Sequence, residues 1–147
     1  MTPVRLIIVG LGARARTWLQ VAGANANIEI VALCDPDPAA RTRVAEQFPD
    51  IPIGADIADV IGTEADAVLL CTPPGGREHQ IEVSCAQGLA ILAEKPLADE
   101  VVTAARYVEM AEAANVHLIV GLNFRYLGVT QEMLRVLRSG AIGTPEF

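Results

Sequence analysis

The sequence predicts a doubly wound α/β domain, a parallel sheet with helices on both faces. Three observations carry that prediction. Short apolar runs rich in Val, Ile and Leu alternate with longer Ala-rich segments of helical spacing. The runs show no strict polar–apolar alternation, as expected of strands buried on both faces. A glycine-rich turn joins the first run to the first helical segment, and strand–helix alternation of this kind builds parallel sheets.

The strands are expected at Val4–Gly10, Ile28–Cys34, Ala67–Thr72, Ala90–Glu94 and His117–Gly121. Helical spacing marks Ala13–Ala24, Pro38–Phe48, Arg77–Gln87, Asp99–Ala114 and Gly128–Arg138. A short strand near Ile51–Ile53 and a short helix near Ile57–Ile61 fill the remaining stretch. Pro36 and Pro38 open the second helix, since proline is tolerated in a first turn. Gly88 and Gly140 stand where helices should end.

With 147 residues the chain is one domain's worth, long enough to bury a core without staples. Hydrophobic residues make up 52% and charged residues 20%, which excludes a disordered chain. The apolar runs are all too short to span a bilayer, so no membrane partner is expected. Eighteen acidic against 11 basic residues give a net charge of -7, the wrong sign for an electrostatic nucleic-acid binder. Cys34, Cys71 and Cys85 are odd in number and far apart, which argues against disulfides or a zinc site. With no signal-peptide pattern, a cytoplasmic protein without a metal is expected. Ten of the basic residues are arginine, and the single lysine is Lys95.

Gly10-Leu11-Gly12-Ala13-Arg14-Ala15 is a G-x-G-x-x-A turn between a predicted strand and a predicted helix. The first glycine permits the tight turn, the second lets a pyrophosphate approach the backbone, and Ala15 keeps helix and strand close. Free N–H groups and the helix dipole then hold the anion. Asp35 lies 20 residues beyond Ala15 at the end of the second strand, where a carboxylate accepts from adenosine ribose hydroxyls. It would repel a 2′-phosphate, so NAD is favoured; Arg14 and Arg41 keep NADP open. The competing readings are a bare turn with a solvated aspartate, or a site for another adenine ligand.

Three further clusters fall at the carboxyl ends of strands, where such sheets bind ligands: Cys71-Thr72-Pro73-Pro74-Gly75-Gly76, Glu94-Lys95-Pro96, and Gly121-Leu122-Asn123-Phe124-Arg125-Tyr126. A lysine at that lip can donate a proton or hydrogen bond to a substrate oxygen during hydride transfer. The Lys95–Pro96 bond is also a candidate for a cis peptide. No tyrosine stands four residues before Lys95, which excludes the Tyr-x-x-x-Lys mechanism.

These motifs, with the closing Ser139-Gly140-Ala141-Ile142-Gly143, resemble the N-terminal Rossmann domain of the Gfo/Idh/MocA oxidoreductases, the family of glucose-fructose oxidoreductase and inositol dehydrogenase. The resemblance implies that Lys95 is the catalytic lysine. It implies that Thr72, Pro73, Glu94 and Asn123 line the nicotinamide side, beside Gly10, Leu11, Gly12, Ala13, Arg14, Asp35 and Cys71. The implied reaction is hydride transfer between nicotinamide and a hydroxyl-bearing carbon of a sugar or polyol. Family members often carry histidine five residues after the threonine; here that position is Arg77, and His79 follows two residues later.

The family adds a second α/β domain carrying most substrate contacts and the oligomer interface. Residues 1–140 are therefore expected to form the dinucleotide domain, and 141–147 to begin a C-terminal domain that is missing. The chain should bind cofactor but turn over poorly, with a small-molecule substrate only when that domain is present; self-association is open. The alternative is a stand-alone NAD(H)-binding or regulatory module without catalysis.

Overall fold

The computed structural model describes residues 2–146. Its centre is one six-stranded parallel sheet, in the order β3-β2-β1-β4-β5-β6. The strands are β1 (Val4–Val9), β2 (Ile28–Cys34), β3 (Ile53–Gly54), β4 (Ala67–Leu70), β5 (Ala90–Ala93) and β6 (Leu118–Val120). The helices are α1 (Ala13–Gly23), α2 (Pro38–Ala45), α3 (Glu78–Ala86), α4 (Val101–Ala113) and α5 (Gly128–Arg138). The doubly wound expectation holds, and the sheet is wholly parallel.

The unbroken apolar runs have a simple cause. Ile7, Val9, Ala32, Cys34, Val68, Leu70, Ile91 and Ala93 face one side and pack with Ile81 of α3 and Tyr107 of α4. The intervening Ile8, Leu33 and Leu69 face the other side and pack with Leu19 of α1 and Ala40 and Val44 of α2. Both parities of each central strand are buried, so neither face tolerates a polar residue.

Local chemistry sets the element ends. Asp37 caps α2 by accepting from the Ala39 N–H, with Pro38 at the first helical position; Pro36 stands outside the helix. α2 stops at Ala45 rather than Phe48, ahead of Pro49, since the residue before a proline is pushed out of helical conformation. β3 begins after Pro52 rather than at Ile51, because proline has no N–H for the ladder. The short helix after it is a single 3-10 turn, Ile57–Asp59, closed by a reciprocal Asp56–Asp59 capping box. A second 3-10 turn, Asn123–Tyr126, occupies a stretch the sequence reading left unassigned.

With β1 between β2 and β4, the chain leaves β1 in opposite directions, and a crevice opens beyond the strand ends. All the motifs at the carboxyl ends of β1, β2, β4 and β5 surround it. At the far edge, α5 buries none of its residues, and Val129, Met133 and Leu137 are exposed together with Phe124 and Tyr126. Among the described residues no helix is long and apolar enough to cross a membrane.

Candidate functional site

A cleft of about 590 Å³ sits in that crevice. It is lined by Gly10, Gly12, Ala13 and Arg14 after β1, Asp35 and Pro36 after β2, Cys71 to Pro74 after β4, and Glu94 and Lys95 after β5, with Arg77 beneath.

The two loop glycines are required for different reasons. Gly10 has φ +85°, and a Cβ there would lie 2.9 Å from Thr72 Cγ2 and 3.0 Å from the Thr72 nitrogen. The protein itself demands glycine at this point. At Gly12 a Cβ would meet nothing within 4 Å, so internal packing makes no such demand. What the open space suits is a ligand reaching the backbone. Gly12 is also the N-cap of α1, and no side chain caps that helix and no acidic residue stands in its first turn. The amide donors and the positive end of the α1 dipole therefore face the cleft uncompensated. Ala15 is fully buried against the sheet, as its small size requires.

Asp35 holds the loop in place. Its Oδ2 accepts from the Leu11 N–H at 2.6 Å and its Oδ1 from the Asp37 N–H at 2.8 Å. A carboxylate has about four acceptor sites, so capacity remains for ribose hydroxyls. The Leu11 side chain points into the core, and only its backbone serves the site. The arginines that left NADP open are engaged elsewhere. Arg41 donates to the Asp35 and Pro36 carbonyls at 2.7 and 2.9 Å, and Arg14 turns toward Glu94.

Glu94 is 4% exposed, and its Oε1 accepts from Arg14 Nε at 2.6 Å and Trp18 Nε1 at 2.7 Å. Burial pushes its carboxyl up, but the Trp18 and Arg14 hydrogen bonds outweigh this and hold it below the ordinary value. The pair ties α1, with its glycine turn, to the end of β5. Cys71 is a wall of the cleft, its thiol pushed up to about 12 by burial and the Glu94 charge, so it is no thiolate nucleophile at neutral pH. Lys95 is exposed at the open side of the cleft, and the Lys95–Pro96 bond is cis.

The cleft thus collects Gly10, Gly12, Ala13, Arg14, Asp35, Cys71, Thr72, Pro73, Glu94 and Lys95. Asn123 does not line it; it sits exposed in the 3-10 turn after β6. His79 lies outside, exposed and bonded to Asp56 Oδ1 at 2.9 Å. Sequence reasoning missed Trp18 and the buried role of Arg77. Trp18 had no signal, being one more helix residue; Arg77 stood out only as the residue in place of the family's histidine, which says nothing of its burial.

Residues 4–122 match the model of a family described as the Gfo/Idh/MocA oxidoreductase family with an NAD-binding Rossmann fold. A D-apiose dehydrogenase from Paraburkholderia graminis is 33% identical over 143 residues, 94% of this chain and 37% of that protein. An inositol 2-dehydrogenase from Saccharopolyspora erythraea is 31% identical, over 94% of this chain and 40% of that protein. A crystal structure of an oxidoreductase from Agrobacterium radiobacter in complex with NAD+, L-tartaric acid and magnesium superposes with a TM-score of 0.92 at 28% identity, covering 98% of this chain and 42% of that one. The chain spans about two fifths of the length of these relatives.

Two outcomes follow from this geometry. Gly10→Ala should lower unfolding stability by about 1–3 kcal/mol in denaturant titration, whereas Gly12→Ala should leave stability nearly unchanged and weaken binding of a dinucleotide. Glu94→Gln should cost about 1–3 kcal/mol near neutral pH. The depressed Glu94 carboxyl stabilises the fold above its unfolded value of about 4.3, and that contribution is lost as pH falls through the lower folded value. The melting-temperature gap between wild type and Glu94→Gln should accordingly close as the buffer is taken from about pH 6 to about pH 3.

Proposed function

The chain belongs to the Gfo/Idh/MocA oxidoreductase family as its NAD-binding Rossmann domain, and on that premise we propose that it serves hydride transfer between NAD and a hydroxyl-bearing carbon of a sugar or polyol. The observation that carries this reading is a single cleft holding an uncapped helix N-terminus, a ribose-side carboxylate and the only lysine. NAD, when bound, supplies the hydride acceptor.

The chain's own residues divide the remaining work. The α1 N-terminus and the bare backbone at Gly12 take the pyrophosphate. Asp35 accepts from the adenosine ribose and repels a 2′-phosphate, which selects NAD over NADP. Thr72, Pro73 and Glu94 line the nicotinamide end; Asn123, which the resemblance assigns to the same end, stands in the turn after β6, outside the cleft lining. Lys95 takes the proton from the substrate hydroxyl during oxidation and returns it during reduction. Lys95 is the catalytic residue in this reading because the family resemblance puts the catalytic lysine at this motif and Lys95 lines the cleft at its open side.

D-apiose and inositol dehydrogenases among the relatives support a polyhydroxylated substrate. These relatives have about three fifths of their length outside the matched stretch. The exposed Val129, Met133, Leu137 and Ile142, with the half-buried Val136, form an apolar strip that suits packing against such further chain.

Titration with NADH, followed by nicotinamide fluorescence, should show saturable binding; none at millimolar concentration overturns the reading. Asp35→Ser should weaken NADH and narrow its preference over NADPH by about tenfold. In any form that oxidises a polyol, Lys95→Ala should lower kcat by about a hundredfold or more while the Kd for NADH stays within about twofold. An unchanged kcat rejects the role of Lys95.

A further inference from the structure

Arg77 is 1% exposed, and among the described residues no carboxylate lies within ion-pair distance of it. Its cation is met by main-chain carbonyls instead. Nη1 donates to Glu94 O at 2.5 Å, Pro96 O at 2.6 Å and Leu97 O at 3.3 Å, and Nη2 donates to Thr72 O. Nε has no partner.

The pattern of acceptors is informative. They come from two loops, the one after β4 and the one after β5, and both are walls of the cleft. Within the second loop the bonds fall on either side of Lys95, on the residue before it and the residue after it. Lys95 itself is exposed, so its side chain has little packing to fix it. Its backbone is where order can be imposed. If Arg77 only anchored α3, an apolar side chain could fill the space without burying a charge that has no counter-ion. A planar fork of N–H donors is instead suited to gathering several carbonyls at once.

We propose that Arg77 is a positioning residue: by clamping the Thr72 and Glu94–Leu97 carbonyls it fixes the nicotinamide end of the cleft and the backbone that presents Lys95. It acts through these loops and does not touch substrate. This inference rests on the nicotinamide-site reading above, and the test separates the two.

The purified chain is titrated with NADH and with ADP-ribose, which lacks the nicotinamide. Wild type should bind NADH more tightly than ADP-ribose; equal affinities remove the nicotinamide subsite, and this inference falls with it. Given that difference, Arg77→Met should raise the Kd for NADH by about tenfold and leave that for ADP-ribose within about twofold. Arg77→Lys keeps the buried charge with fewer well-placed donors; it should show a smaller loss of the same kind, and it serves if the methionine variant does not fold. A folded variant that keeps the wild-type NADH to ADP-ribose ratio overturns the proposal. So does a parallel loss of both affinities, which marks Arg77 as a residue of the fold alone.

Discussion

Burial of the sheet on both faces is the constraint on which the rest of the structure depends. Ile7 and Ile8, neighbours in sequence, are each fully buried on opposite sides of β1. Helices cover both surfaces, so the backbone of the central strands can meet a ligand only at the strand ends. Because every pairing is parallel, the carboxyl ends lie together on one edge. The glycine turn, Asp35, Thr72-Pro73 and Glu94-Lys95 are separated by tens of residues and converge for that reason.

The same arrangement explains how a chain of net charge -7 can hold an anionic cofactor. The donors are main-chain amides at the start of α1, and their field acts over the first turn only. α1 and α2 make the contrast within one molecule. Asp37 caps α2 with its side chain, while α1 starts on Gly12 and leaves its amides uncapped toward the cleft. A global positive charge is unnecessary where a local one is aimed.

Charge within the site is graded by burial. Glu94 is nearly enclosed and satisfied by Arg14, Trp18 and the Lys95 amide. Arg77 is enclosed and satisfied by carbonyls, whereas Arg14 and Lys95 are open to solvent. Two buried ionic groups thus hold the walls on either side of the one exposed amine. Removing a partner from either would leave a charge in a poorly solvated place, which is why substitutions here should cost more than at the surface.

Much of this was legible in the sequence, because it depends on local rules. Period, glycine spacing and proline positions place the strands and helices to within a few residues. The G-x-G-x-x-A turn followed by Asp35 marks the dinucleotide edge, and Glu94-Lys95-Pro96 marks the opposite wall. What stayed hidden concerns side chains that span long separations. Trp18 reaches Glu94 across 76 residues, and Arg77 reaches Pro96 across 19. Asn123, placed by motif, stands in the 3-10 turn after β6 and is not among the residues that line the cleft. The sequence by itself determined the class of fold and the edge where chemistry occurs, since both follow from which residues can be buried. Only the tertiary structure decided which polar groups meet there, since a hydrogen bond depends on position in space and leaves no periodic trace along the chain.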